Sequence, residues 1–172
     1  MAQRPWIFGP GGATVVEIGG HAGNDAQIRR HDGFRQGIAG SNIVIIDSQN
    51  AENWITANAM AIAEDFIVRH GDDIKGVFVH WDNGATGVIN AMHNAGMDDV
   101  FIVGVDGNRA GFEQVRNGTQ SVSVGQSFTN MARQSLANAQ TMLEGGTVPE
   151  INFIPLDVIT LQTIDTFPAP EW

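Results

Sequence analysis

Two aspartates follow two short apolar segments of the sequence, and both have the chemistry to bind hydroxyl groups. Asp82 comes shortly after residues 77–79 (VFV), and Asp106 follows residues 100–105 (VFIVGV). A carboxylate accepts hydrogen bonds from hydroxyl groups, and two carboxylates together can act as a general acid and a general base. Nothing in their spacing indicates that their pKa values would separate, so the sequence favours ligand binding over catalysis. Asp82 is also expected to cap the helix that follows it.

Four further side chains with binding chemistry are expected beside these aspartates. Trp81 directly precedes Asp82, Trp54 stands at the start of a predicted helix, and Gln126 follows the apolar segment 121–124. Arg30 lies about 9 Å from the start of its helix, at 1.5 Å per residue, so its long side chain can reach the same edge. Indole rings cover the C–H face of a sugar, while arginine and glutamine hydrogen-bond to its hydroxyl groups. The sequence therefore predicts a site for a polyhydroxylated ligand, with the ligand-binding residues Arg30, Trp54, Trp81, Asp82, Asp106 and Gln126.

Short apolar segments alternate with helical patterns along the chain, and this alternation predicts the fold. Most of the segments are nearly continuous in apolar residues, as in strands that are covered on both faces. The expected fold class is α/β, a doubly wound, mostly parallel sheet with helices on both faces, whose ligands bind at the carboxyl ends of the strands. The segments that predict strands are 13–18, 42–46, 77–79, 100–105, 121–124 and 151–160.

The length and composition indicate one domain with a substantial core. The chain has 172 residues, of which 42% are hydrophobic, so we expect a single lobe over 1–172. Residues 1–12 and 163–172 are rich in proline or glycine and are predicted to be extended arms. The first residues also lack the apolar stretch of a secretory signal peptide.

Composition also argues against several kinds of partner and cofactor. The formal net charge is −10, which disfavours nucleic acid as a partner because phosphate groups are repelled. The chain has no cysteine, which excludes disulfides and thiolate chemistry, and its five histidines show no metal-binding spacing. No apolar stretch approaches the ~20 residues of a membrane span. We therefore expect no metal and no cofactor.

A nucleotide-cofactor enzyme domain is an alternative suggested by residues 19–24 (GGHAGN), which stand between a predicted strand and a predicted helix. Asp47 ends the second strand, as in dinucleotide-binding proteins. The spacing G-x-G-x-x-G is not met, however, and Asp25 places a negative charge where a phosphate group would bind. The sequence also lacks the nucleophile elbow G-x-S-x-G.

Three longer segments together carry a family resemblance: NDAQIRRHDGFRQGIAG, HWDNGATGVINAMHNAGMDDVFIVGVDGN and VSVGQSFTNMARQSLANAQTMLEGGTVPE. In this order they resemble the C-terminal half of the type I periplasmic sugar-binding proteins of ABC importers, the ribose-binding-like group, over about 13–160. Such proteins have two α/β lobes joined by a hinge, and the sugar binds between the lobes. The resemblance implies a periplasmic or extracytoplasmic binding protein that is not an enzyme.

The resemblance assigns roles to the same residues. Arg30 matches the arginine of an R-x-x-G-F pattern and Asp106 the aspartate of VGVDG, both of which contact the sugar in the family. Trp54 matches the aromatic residue at the start of the second helix, and Gln126 the glutamine at the last hinge. Trp81 and Asp82 match the pair after the third strand, where the family often has an amide in place of the tryptophan.

The resemblance also implies the partners. These are a small-molecule sugar and, in the full-length context, the membrane subunits of an ABC importer. The apolar stripe of the predicted helix over 127–144 favours self-association, packing on this lobe, or pairing with an N-terminal lobe. We expect one lobe alone to hold sugar weakly, because only one side of the ligand leaves water. The same fold forms the effector-sensing lobe of lactose-repressor-like regulators, which stays an alternative and would require a helix-turn-helix upstream.

Overall fold

The computed structural model describes residues 11–168 and residue 170, and it contains an alternation of strands and helices. The strands are β1 (Ala13–Gly19), β2 (Ile43–Asn50), β3 (Gly76–Val79), β4 (Phe101–Asp106), β5 (Val122–Gly125) and β6 (Asp157–Ile159). The helices are α1 (Asp25–Ile38), α2 (Thr56–His70), α3 (Asp82–Asn94), α4 (Arg109–Arg116) and α5 (Phe128–Leu143). Short 3-10 helices occupy Glu52–Trp54, Gly71–Asp73 and Ile164–Thr166.

All six strands form one sheet in the order β2-β1-β3-β4-β5-β6. The first five strands are parallel, and β6 runs antiparallel to β5. The chain turns to opposite sides of β1, first to β2 and later to β3, which creates the switch point where α/β sheets bind ligands. This architecture confirms the predicted fold class.

The main core lies between the sheet and helices α2 and α3. Strand residues that alternate along β1 and β3, such as Ile18 and Val79, face this core and are fully buried. Their neighbours Glu17 and Phe78 face the opposite side, where they contact His31 and Phe34 of α1. Helices therefore cover both faces of the sheet, as the nearly continuous apolar strands predict.

Helix α5 lies outside this core. No residue of Phe128–Leu143 is buried, and Leu136 and Leu143 are 72% and 89% exposed. Ser127 caps its first turn by accepting a hydrogen bond from the backbone N–H of Asn130. The apolar stripe expected on this helix is thus present and does not pack into the lobe.

The C-terminal part of the chain differs from the extended arm expected over 163–172. Ile164–Thr166 form a 3-10 helix, and Ile164 is only 2% exposed because it packs with Phe112, Val115 and Ile159 in a second apolar cluster. Burying the Ile164 side chain against α4 removes apolar surface from water, and this favours a chain that folds back over an extended one. Residues 1–10 of the other expected arm lie outside the described residues. Within the described part of the chain, no helix has the length and apolar character that crossing a membrane requires.

Candidate functional site

Three polar residues from distant parts of the sequence meet at the carboxyl edge of the sheet. An Nη2 atom of Arg30 lies 3.1 Å from Oδ1 of Asp106, and Nε2 of Gln126 donates to the same oxygen at 2.9 Å. The side chains of Arg30 and Asp106 are each 17% exposed, so both are held in place yet reachable from solvent. The structure thus brings together Arg30, Asp106 and Gln126, as the sequence predicts. We call them the polar triad.

Backbone contacts orient the members of the polar triad. Arg30 also donates from Nη1 to the carbonyl oxygen of His80, just beyond β3. The backbone N–H of Gln126 donates to the carbonyl oxygen of Asp106 at 3.0 Å, which joins the ends of β4 and β5. Asp106 has a φ of 128° and Gly107 a φ of 70°, so the chain turns sharply after β4. This turn aims the Asp106 carboxylate at Arg30.

Burial dominates the electrostatics of the polar triad. It raises the pKa of Asp106 to about 6, against the opposing effect of the Arg30 guanidinium and with a further upward contribution from the charge of Asp82. Near neutral pH the carboxylate is ionised and accepts hydrogen bonds, whereas at mildly acidic pH it takes up a proton. A ligand hydroxyl group would find one rigid cationic donor and one carboxylate acceptor side by side.

Trp54 lies against the polar triad. The guanidinium carbon of Arg30 is 5.6 Å from the centroid of the indole ring, within cation–π range. A Cβ atom at Gly20 would lie 2.2 Å from carbon atoms of this ring, so only glycine permits the ring to lie there. Asn53 and Trp54 have φ angles of 57° and 56°, in the left-handed region that favours glycine. Trp54 is half-buried and stays at the edge of the cluster.

Trp81 differs from the sequence expectation of a ring that faces a ligand. It is 5% exposed and belongs to the main core, where its ring covers Gly84; a Cβ atom there would lie 2.4 Å from Cε2 of the indole. Its ring meets Trp54 edge to face, with centroids 5.4 Å apart and planes at 82°. Among the described residues, its Nε1 atom has no hydrogen-bond partner. The structure therefore places Trp81 behind Trp54 as its support.

Asp82 is fully buried, which corrects two sequence expectations. It is the first residue of α3, and the residue in the cap position is Trp81, which makes no side-chain cap bond. Its carboxylate accepts hydrogen bonds from Gln120, Ser123 and the backbone N–H of Gly107. Burial raises its pKa against the effect of these bonds. A carboxylate with 0% exposure and both oxygen atoms bonded has no free face for a ligand.

The structure also contains a buried polar network near Arg30 that the sequence patterns did not predict. The Glu17 carboxylate meets Nε2 of His80 at 3.0 Å and Nδ1 of His31 at 3.0 Å, and it accepts a bond from Ser48. Glu17 and His80 are both 0% exposed. Burial acts to raise the pKa of Glu17, but hydrogen bonds from His80 and Ser48 lower it overall, whereas burial lowers the pKa of His80. The available signal was a glutamate inside the apolar segment ATVVEIG.

No group of side chains with metal-binding geometry occurs within the described residues. The candidate site is the carboxyl edge of the sheet, built from the polar triad and Trp54. Its chemistry is hydrogen bonding and ring stacking, and the buried groups Trp81, Asp82 and Glu17 lie behind it.

Comparison with a family model shows where this lobe belongs. Residues 7–147 match the model described as "Periplasmic binding protein domain". The matched range includes every member of the polar triad and the five parallel strands β1–β5, and it ends before β6. The match thus covers both the parallel part of the sheet and the candidate site.

Individual proteins agree with the family model. The chain is 28% identical over 151 residues to the ribose import binding protein of Escherichia coli strain K12, covering 88% of this chain and 50% of that protein. It is 26% identical over 155 residues to a xylitol-binding protein of Mycolicibacterium smegmatis, covering 90% and 44%. The chain therefore spans about half the length of the curated relatives that it matches.

Solved structures give the same result. The binding protein component of the arabinose ABC transporter from Shewanella sp. ANA-3, bound to arabinofuranose, is 27% identical with a TM-score of 0.78, covering 91% of this chain and 53% of that one. The periplasmic ribose ABC transporter structure from Conexibacter woesei has a TM-score of 0.84 at 22% identity, covering 92% and 53%, and this similarity shows the fold alone.

Proposed function

Because the chain belongs to the periplasmic binding protein domain family, we propose that it is the sugar-binding lobe of a solute-binding protein that serves an ABC importer. The relatives that it matches are binding and transport proteins for ribose, xylitol and xylose rather than enzymes, in agreement with the sequence prediction. The ligand, the importer and the extracytoplasmic location of the whole protein are part of this proposal.

The observation that carries the proposal is the polar triad on an open edge. Arg30 and Gln126 both direct N–H groups at Asp106 Oδ1, which leaves the second carboxylate oxygen free of side-chain donors among the described residues. A sugar presents adjacent hydroxyl groups, each of which both donates and accepts hydrogen bonds. One hydroxyl group can donate to Asp106 while it accepts from Arg30, so neighbouring hydroxyl groups on a ring match this arrangement better than an apolar ligand does.

Trp54 supplies the apolar part of the proposed site. It lies half-buried beside Arg30, and its ring is fixed by Gly20 on one side and Trp81 on another. A fixed indole loses little entropy when a sugar stacks on it, and the contact removes C–H surface from water. We propose that the sugar ring lies against Trp54, while Trp81 only sets the orientation of that ring.

A ligand panel followed by calorimetry tests the proposal. Ribose, arabinose, xylitol and NAD are added to the chain, and binding of a sugar or polyol but not NAD is expected. Affinity should be millimolar or weaker, because one lobe desolvates one side of the ligand. Asp106→Ala should abolish binding, whereas Asp99→Ala, at an exposed position away from the site, should leave it unchanged.

Two results would overturn the proposal. One is NAD binding without any sugar binding, which would favour a nucleotide-cofactor domain. The other is equal sugar affinity in the wild-type chain and Asp106→Ala, which would place the sugar elsewhere.

A further inference from the structure

The carboxylate of Asp82 is held by three hydrogen bonds, one from the turn after β4 and two from residues at or just before the start of β5. Its Oδ2 atom accepts from the backbone N–H of Gly107 at 2.8 Å and from Oγ of Ser123 at 2.7 Å. Its Oδ1 atom accepts from Nε2 of Gln120 at 2.9 Å. A buried carboxylate is costly unless donors surround it, so this arrangement is a specific structural feature rather than general packing.

Two glycines make room for this carboxylate. A Cβ atom at Gly104 of β4 would lie 2.3 Å from Oδ1 of Asp82, and one at Gly111 of α4 would lie 2.1 Å from Oδ2. Neither glycine has a positive φ, so neither is required by its backbone conformation. Both positions require glycine because any larger side chain would collide with the Asp82 carboxylate, which fills the space enclosed by β4, α4 and β5.

Asp82 thereby fixes the turn that carries the proposed sugar contact. Gly107, which donates to Asp82, directly follows Asp106, and both residues have positive φ angles, 128° for Asp106. An aspartate in such a conformation persists only when surrounding contacts hold it. We infer that Asp82 is a positioning residue that holds the turn at Asp106 and Gly107 so that Asp106 meets Arg30 and Gln126. This inference rests on the proposed function.

The charge of Asp82 provides a readout that a purely structural residue would lack. The charged groups that act on Asp106 are Arg30 from α1 and Asp82 from α3, and Gln126 adds a neutral donor. Because the Asp82 charge contributes to raising the pKa of Asp106, removing that charge should lower this pKa. A residue that only fills space would leave the titration of Asp106 unchanged.

The test combines two variants with two measurements on the whole chain. Asp82→Asn removes the charge and keeps the shape, whereas Ser123→Ala keeps the charge and removes one hydrogen bond to the same carboxylate, together with the bond that the Gly107 N–H donates to Ser123. Titration of Asp106 in the ligand-free chain is followed by carbon-13 NMR of its carboxyl group. Affinity for ribose, arabinose and xylitol is measured by calorimetry at pH 7.

In the wild-type chain the titration midpoint should lie near pH 6. It should fall in Asp82→Asn and stay near the wild-type value in Ser123→Ala. Sugar affinity should drop roughly tenfold in Asp82→Asn and less in Ser123→Ala, since each lost bond to the turn loosens Asp106. An unchanged midpoint together with an unchanged exchange rate of the Gly107 amide hydrogen in folded Asp82→Asn would overturn the inference.

A second measurement keeps the inference testable if Asp82→Asn does not fold. Gln120→Ala, which loses a hydrogen bond to Asp82 while the bonds of the Gly107 N–H stay in place, should then exchange its Gly107 amide hydrogen faster than the wild-type chain, because Asp82 holds the turn less tightly. Equal exchange rates in the two chains would contradict a positioning role. Both NMR measurements use the ligand-free chain, so they decide the role of Asp82 even if no sugar binds and the proposed function fails.

Discussion

At the scale of single residues, the candidate site contains non-glycine residues with positive φ angles, a backbone conformation that such residues rarely adopt. Asn53 and Trp54 are left-handed, and Asp106 has a φ of 128°. Each such residue costs on the order of 1–3 kcal/mol and is retained where surrounding contacts determine it. Here those contacts are Gly20 beneath Trp54 and the bonds from Arg30 and Gln126 to Asp106. Strain is therefore concentrated at Trp54 and Asp106, which we propose to touch sugar, and at Asn53 beside Trp54.

Asp106→Asn is predicted to stabilise the ligand-free lobe at neutral pH while it weakens sugar binding. The pKa of Asp106 rises from 3.8 to about 6 on folding, so between these values the folded chain keeps a proton that the unfolded chain has lost. Stability that this carboxyl contributes below pH 4 is therefore lost as pH rises through 6. The amide avoids that loss, and the gain at pH 7 should be roughly 1 to 3 kcal/mol.

Thermal unfolding at pH 4 and pH 7 measures this difference. The variant should melt clearly higher than the wild-type chain at pH 7 and much closer to it at pH 4, where the folded carboxyl group is protonated and the unfolded one is only partly ionised. A variant that is less stable at pH 7 would mean that the bond between Arg30 and Asp106 outweighs the burial of the charge.

Gly20→Ala tests whether Trp54 is fixed by its neighbours. The added Cβ atom would lie 2.2 Å from the indole carbons, so the ring must move away from Arg30 and Trp81. We expect a loss of roughly 1–3 kcal/mol in the free energy of unfolding and weaker sugar binding. Near-ultraviolet circular dichroism should also change, because it reports the edge-to-face tryptophan pair.

Gly37→Ala is the matched control. Gly37 lies in α1, where a Cβ atom would meet nothing within 4 Å, so this variant should gain roughly 0.5–1 kcal/mol from helix propensity. If Gly20→Ala behaves like Gly37→Ala in urea denaturation and leaves the dichroism unchanged, Trp54 does not occupy the proposed position.

At the scale of elements, the sequence predicts the strands, their order of alternation with helices and the edge where polar residues gather. Arg30, Asp106 and Gln126 were predictable because each follows or faces a strand end, and parallel strands end at one edge. The inward orientation of the Asp82 side chain was not predictable. It depends on Gly104 and Gly111, whose small size has meaning only once β4 and α4 are packed beside α3.

The same reasoning explains the other differences at this scale. Trp81 turns inward because Gly84, one turn along α3, leaves space for its ring. Ile164 folds into the second cluster because α4 offers it apolar contacts that a single sequence does not reveal. Patterns along the chain thus predict elements and edges, whereas side-chain direction requires the neighbours from other elements.

The network between β1 and α1 leads to a prediction about acid stability. The buried His80 has a pKa below 6.5, so the unfolded chain takes up a proton at this residue before the folded chain does as pH falls. The pKa of Glu17 is also lowered, so its contribution, present above 4.5, is lost as pH falls further. Both effects make the lobe less stable in acid, while Asp106 acts in the opposite direction.

Replacing Asp106, whose titration acts in the opposite direction, isolates the effect of His80 on acid stability. In Asp106→Asn, the free energy of unfolding should fall steadily from pH 7 to pH 5, and in the double variant with His80→Gln the slope over that range should be smaller. Urea denaturation at several pH values gives these slopes. Equal slopes in the two chains would show that His80 does not control the acid response.

At the scale of the whole molecule, the core and α5 are separate. The main core lies between the sheet and helices α2 and α3, and no residue of α5 is buried. The chain spans about half the length of its curated relatives, and the sequence expectation that an N-terminal lobe or another copy of the chain packs on α5 stays a prediction. The polar triad lies at the carboxyl edge of the sheet, where its hydrogen bonds join α1 to the ends of β4 and β5.

This separation predicts that substitutions on α5 leave the stability of the lobe unchanged. Leu136→Lys combined with Leu143→Lys replaces side chains that are 72% and 89% exposed, so the free energy of unfolding in urea should change by less than about 0.5 kcal/mol. Phe66→Ala, at a fully buried position of α2, should instead cost roughly 3–5 kcal/mol. Calorimetry should show the same sugar affinity for the α5 variant as for the wild-type chain, since the polar triad is untouched. A marked loss of stability in the α5 variant alone would mean that α5 packs on this lobe in solution.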